Sequence, residues 1–208
     1  MKGQDIGLLL KLGCLRLKES GAYPDYLPGS WEDWELEGWN KTGKVEDSAG
    51  FYNEYTVRAL ARLTGISKSQ VNLSLQRSIE SGLAILDRKS QVPRANIGAL
   101  KDFIVHGLPY VFPVKLGAVT RGISTSLAAP VLQSALQSAG DLSPVWSDAR
   151  GSTKGQSVEP LFKSAPYAVR QDAELYALLA LVDAIRIGQP RERNLAIKLL
   201  GKHLGIMQ

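Results

Sequence analysis

Cysteine is nearly missing from the 208-residue chain. Cys14 is the only one, so no disulfide can close within it, which fits an expected place in a reducing cytoplasm. Histidine is almost as scarce: His106 and His203 are far apart, and no Cys/His group has metal-ligand spacing, so neither a metal nor a cofactor is expected. Long apolar runs are absent too. Those near Ile6–Leu12 and Leu175–Ile187 are broken by charge or fall short of the roughly 20 residues a membrane helix needs, so no membrane contact is expected. The first also holds Lys11 and lacks a convincing cleavage site, so it does not read as a secretory signal. "GSTKGQS" at 151–157 lacks the ending of a phosphate-binding loop and a strand before it, and reads as surface loop. "GISTS" at 122–126 lacks the glycine spacing of a nucleophile elbow. No catalytic residue emerges and the chain is not expected to be an enzyme; acidic dyads drawn from separate segments, for metal-dependent nuclease work, are the one catalytic alternative left open.

What is present is an ordinary folded composition with an uneven charge. Hydrophobic content of 44% and charged content of 22% suit a packed core. The formal net charge is +5, but residues 19–55 hold nine carboxylates against Lys41 and Lys44, while residues 56–95 hold seven Lys or Arg against Glu80 and Asp87. The second block is therefore a cationic head of the kind that releases counterions from a nucleic-acid backbone.

That block contains "YTVRALARLTGISKSQVNLSLQRSIESGLAILDR", residues 55–88. Thr56 can cap a helix to Leu63 with Val57, Leu60 and Ala61 inward. Gly65 then suits a tight turn, and Ile66 plugs the corner. Ser67 can cap a second helix, with Gln70 at capping-box spacing and Val71, Leu75 and Ile79 as its buried stripe. Lys68, Ser69, Gln70, Asn72, Leu73, Gln76 and Arg77 remain outside, an inventory able to bond base edges and phosphates. Gly82 ends the helix, and "LAIL" reads as a strand leading to a basic hairpin tip at Asp87-Arg88-Lys89.

This stretch resembles the winged helix-turn-helix domains of bacterial transcription regulators, broadly MarR-like and GntR-like. Its marks are Ala61, Gly65, Ile66, Ser67 and Val71, then Gly82-Leu83; Ser74 departs from them, since many such helices carry a larger apolar residue there. The resemblance implies double-stranded DNA as partner and a homodimer reading two half-sites. Ser67, Lys68, Ser69, Gln70, Asn72, Gln76, Arg77, Arg88 and Lys89 are the expected DNA-binding residues. A helix pair of this kind can also be purely structural or a protein-docking element.

The rest is organised around that unit. Residues 3–19 read as an amphipathic helix with Ile6, Leu9, Leu10, Gly13 and Leu17 on one side and Cys14 buried. An acidic insertion at 21–53 follows, with Trp31, Trp34 and Trp39, which are costly to leave in water and pack on this subunit, on its twin or on a separate protein. Asn96 caps a short helix with Leu100, Phe103 and Ile104 on one face, ended by His106-Gly107; "LPYVFPV" reads as strand or extended chain. Gly117–Pro166 reads as loop, apart from a helix near Ala129–Ser138 and apolar anchors at Val145, Trp146, Leu161 and Phe162. Arg170–Ile187 and Pro190–Leu204 form two helices split at Gly188-Gln189-Pro190. Asp183, Arg186, Arg191, Glu192 and Arg193 are expected to form an internal ion-pair network, since both signs are interleaved, with a phosphate or nucleic-acid site as the alternative.

"HGLPYVFPV", "SVEPLF" and "DAELYALLALVDAIRIGQPRER" are similar to a family of uncharacterised bacterial proteins with an N-terminal winged helix. The fold expected is mainly α (α+β): a winged helix-turn-helix over 1–95 and a C-terminal helical, loop-rich module over 96–208 for dimerisation or partner binding. The expected function is a dimeric repressor, with an antitoxin or adaptor-type protein-interaction module as the alternative.

Overall fold

The computed structural model describes residues 1–22, 52–133 and 142–206. Most of the acidic insertion, including its three tryptophans, lies outside these residues, as does the second half of the helix expected near Ala129–Ser138. The fold is mixed α+β and mainly helical. Its elements, in order, are α1 (Gly3–Glu19), α2 (Val57–Thr64), α3 (Lys68–Glu80), β1 (Ala84–Leu86), β2 (Pro93–Ala95), α4 (Ile97–His106), α5 (Leu108–Val111), β3 (Val119–Ser124), α6 (Pro130–Gln133), β4 (Ser143–Ser147), β5 (Thr153–Ser157), α7 (Ala165–Val169), α8 (Ala173–Ile187) and α9 (Pro190–His203).

Two helices run through the centre. α8 is buried on every side from Glu174 to Ile185, as its near-continuous apolar sequence demands. α1 was expected to bury one stripe, but Gly3 and every residue from Asp5 to Leu15 are inside. The reason is that α3 and β2 cover one side of it while α8 covers another. Lys11, which looks like a solvent marker in the sequence, is buried because its Nζ meets Asp172 Oδ2 at 2.6 Å. Asp172 also caps α8, accepting from the backbone N–H groups of Glu174 and Leu175. One hydrophobic core therefore continues from α1 and α2 through α8 and α9.

The segment read as loop holds a small sheet. β3, β4 and β5 are each hydrogen-bonded to the other two: β3 runs antiparallel to both, and β4 and β5 run parallel. Such a closed trio leaves no room for side chains where backbones meet. A Cβ on Gly122 would lie 2.0 Å from the Trp146 carbonyl oxygen, and one on Gly155 would lie 1.9 Å from that of Ser143. "GSTKGQS" is thus a strand with its approach, not a surface loop. "LPYVFPV" also differs from expectation: Pro109, in the first turn, starts the short helix α5, and the extended chain begins only after it.

Asp183 of α8 joins this sheet to the helical core. Its Oδ2 accepts from Thr125 Oγ1 at 2.9 Å and Trp146 Nε1 at 2.6 Å, and its Oδ1 from Arg186 Nη1 at 2.7 Å. Arg186 also donates from Nε to the Phe112 carbonyl and from Nη1 to the Glu159 carbonyl. Of the charged cluster expected here, Asp183 and Arg186 make the buried pair; Glu192 accepts from the Gln189 N–H at the start of α9, and Arg191 is exposed. No helix among the described residues is long and apolar enough to cross a membrane.

Candidate nucleic-acid interface

α2 and α3 are set by their caps. The Thr56 hydroxyl accepts from the Ala59 N–H and the Ser67 hydroxyl from the Gln70 N–H, so each helix starts where a side chain replaces a missing backbone partner. Between them Gly65 sits at φ +68°, and a Cβ there would come within 2.9 Å of Ser164 and Tyr167. Both the left-handed backbone and the packing require glycine at this corner.

The buried side of α3 differs from the expected stripe. Val71, Ser74 and Ser78 are inside with Leu75 half-buried, while Ile79 is exposed. A carboxylate explains the shift. Asp5, at the start of α1, accepts from Ser74 Oγ at 2.5 Å, from Arg77 Nε at 2.9 Å and Nη2 at 2.6 Å, and from the Lys2 N–H at 2.7 Å. The small serines let α1 approach closely enough for that. Arg77, expected on DNA, is therefore turned inward as the clamp between α3 and α1. Burial acts to raise the Asp5 carboxyl, but the hydrogen bonds from Arg77, Ser74 and Lys2 outweigh it and hold the group below the 3.8 of an ordinary aspartate. An unfolded Asp5 takes up its proton first as the pH falls. The contribution is thus complete above 3.8 and is lost as pH drops through the lower folded value. Asp5→Asn is expected to cost about 1–3 kcal/mol at pH 7 and to flatten the loss of stability below pH 4, read as urea midpoints across pH 2–7. A wild-type-like acid limb in the variant would contradict this account.

The outer side of α3 presents Ser67, Lys68, Ser69, Asn72, Leu73 and Gln76 to solvent. Gln70 is half-buried, its amide oxygen accepting from Gln4 Nε2, and Gln76 donates to Glu80 one turn on. At the hairpin tip, Asp87 accepts from the N–H groups of Lys89 and Ser90 and from the Ser90 hydroxyl, which leaves Arg88 and Lys89 pointing outward. Arg94 on β2 turns the other way. It pairs with Glu19, bonds the Tyr55 hydroxyl, and lies 4.6 Å from the centre of the Tyr55 ring.

Arg77 and Arg94 are thus held internally, whereas Arg58, Arg62, Lys68, Arg88 and Lys89 are exposed with no ion pair among the described residues. Arg58 and Arg62 escaped the sequence reading. They stand one turn apart on α2 and, with Thr56, Ala59, Ala61 and Lys68, line a cleft of about 450 Å³. Their signal was available, because i and i+4 cations share a helix face. No protein-family model, curated protein or solved structure matches the chain.

Other reactive groups are placed elsewhere. Cys14 is buried in α1, and burial pushes its thiol well above the usual range. His203 meets Glu174 at 2.8 Å inside the core, and His106 ends α4. Among the described residues no group of three or more His, Cys, Asp or Glu is arranged to hold a metal ion.

Proposed function

We propose that α2, α3 and the β1–β2 hairpin form a winged helix-turn-helix and that the protein is a bacterial, cytoplasmic, DNA-binding transcription regulator acting as a homodimer. The observation that carries this reading is the division of labour on α3. Its inner side is pinned to α1 through Asp5, while Ser69, Asn72 and Gln76 face outward between exposed cations on α2 and the hairpin. α3 would enter the major groove with Asn72 and Gln76 towards base edges, Ser67, Lys68, Ser69 and Gln70 at its leading end, and Arg88 and Lys89 on flanking phosphates or the minor groove. Occupying a promoter in this way blocks access, so repression is the simplest outcome.

The test is a titration of labelled duplex from upstream of the protein's own reading frame in rising salt. A regulator making 6–10 phosphate contacts loses about 10³–10⁵ in affinity between 50 and 200 mM salt. Lys68→Gln and Arg88→Gln are each expected to make that dependence shallower by about one unit of slope. Binding that ignores salt and both substitutions would refute the reading.

A second reading, an antitoxin or adaptor-type module, is favoured by one feature of the second half. Tyr110 is 83% exposed, and Val111, Leu116 and Val119, close to it in sequence, are exposed as well, apolar surface suited to a protein partner or a second copy. Under that reading Tyr110→Asp would abolish partner binding and leave the salt-dependent DNA titration unchanged.

A further inference from the structure

Two clefts flank the first turn of α3. One holds Arg58, Arg62 and Lys68; the other, also of about 450 Å³, is bordered by Ser67 and Gln70 of α3 and by Phe162, Lys163 and Ser164 from the second half of the chain. No carboxylate lines either among the described residues.

Lys163 is held in place by its neighbours. It is the only exposed residue between Leu161 and Pro166. Phe162 packs on α1 so tightly that a Cβ on Gly7 would lie 2.3 Å from its ring. Ser164 Oγ donates to the Thr64 carbonyl at 2.9 Å and the Tyr167 hydroxyl to that of Arg62 at 3.1 Å, which satisfies carbonyls left open at the C-terminal end of α2. The segment is thus bolted to the C-terminal end of α2 and to α1, and presents one ammonium group beside the α2–α3 corner.

We propose that Lys163 is a phosphate contact supplied to the DNA interface by the second half of the chain, on the strand opposite the one held by Arg58, Arg62 and Lys68. This rests on the DNA-binding reading above. A major groove about 12 Å wide is bordered by a phosphate backbone on each side, so a helix lying in it needs cations on both flanks. The exposed cations of α2, with Lys68, supply one flank; apart from Lys163, the described residues that line the other cleft are all uncharged. Since phosphate contacts position the protein without reading sequence, Lys163 contributes affinity and not preference.

The experiment uses the full chain with two labelled 30-bp duplexes, the upstream DNA and a mixed-sequence control, titrated between 50 and 200 mM KCl. Lys163→Gln is expected to weaken both by the same factor, roughly five- to tenfold at 100 mM, and to reduce the salt slope by about 0.9. Lys163→Arg is expected to restore both quantities, and Lys198→Gln, on α9 outside both clefts, to leave them unchanged. Steep salt-dependent binding by the wild type with an unaltered slope and affinity in Lys163→Gln would overturn the assignment while leaving the DNA reading intact. Wild-type protein that binds neither duplex would overturn both.

Discussion

Asp183→Ala is expected to lose about 3–5 kcal/mol of folding stability, the usual cost of removing one partner from a buried ion pair. Asp183 is 1% exposed and serves three donors at once, from Thr125, Trp146 and Arg186. Alanine would strand all three in the interior, and Arg186 would keep its charge with only the carbonyls of Phe112 and Glu159 to solvate it. A domain of this size is stable by only about 5–15 kcal/mol, so the loss is a large part of the total. Burial raises the Asp183 carboxyl above its usual 3.8, with Arg186, Thr125 and Trp146 pulling it back. Replacing the pair together, as Asp183→Leu with Arg186→Met, is expected to cost less than Asp183→Ala alone, because no unpaired charge remains. Urea denaturation followed by circular dichroism measures each; a single variant within 1 kcal/mol of wild type would show that the network is not what ties the sheet to α8.

Gly155→Val is the second large effect. The new Cβ would sit 1.9 Å from the Ser143 carbonyl oxygen, and that neighbour is backbone within the parallel β4–β5 pair, so no side chain can swing aside. β5 must leave β4 or β3, and a loss of about 3 kcal/mol or more is expected, at or beyond the upper end for an overpacked interior. Gly98→Ala provides the contrast. The nearest atom to a Cβ there is Asn96 Oδ1 at 4.0 Å, and the residue lies in the first turn of α4. That substitution should be neutral or stabilise by about 0.5–1 kcal/mol. Equal thermal midpoints for the two variants would mean that the close strand contact is not limiting.

Features carried by single residues with strong backbone preferences were legible. Thr56, Ser67 and Asn96 cap the helices expected of them, Gly65 takes the left-handed turn, and the break at Gly188-Gln189-Pro190 separates α8 from α9. What escaped depended on partners distant in sequence. Lys11 reads as polar until Asp172 is brought against it, and Ser74 reads as a departure from the usual apolar residue until Asp5 of α1 is brought against it. Arg77 looked like a DNA ligand because the carboxylate that turns it inward, Asp5, stands 72 positions away. The β3–β5 trio was hidden for a related reason. Its close backbone contacts demand Gly122 and Gly155 where a strand pattern calls for branched residues, so the composition imitates a loop. The outward placing of Ser69, Asn72, Gln76, Arg88 and Lys89 was legible from local pattern, whereas only the fold brings Lys163 beside α3.

Because β3, β4 and β5 satisfy one another all the way round, that sheet has no unpaired edge to offer an incoming strand. Assembly by strand addition is closed to this sheet. Among the described residues the short β1–β2 ribbon has no third strand on either border, with Arg94 drawn back towards Glu19 on one strand and Ile85 and Leu86 outward on the other. In a crowded cell, the part of this protein most able to be extended by a foreign backbone is therefore the same hairpin whose tip carries Arg88 and Lys89.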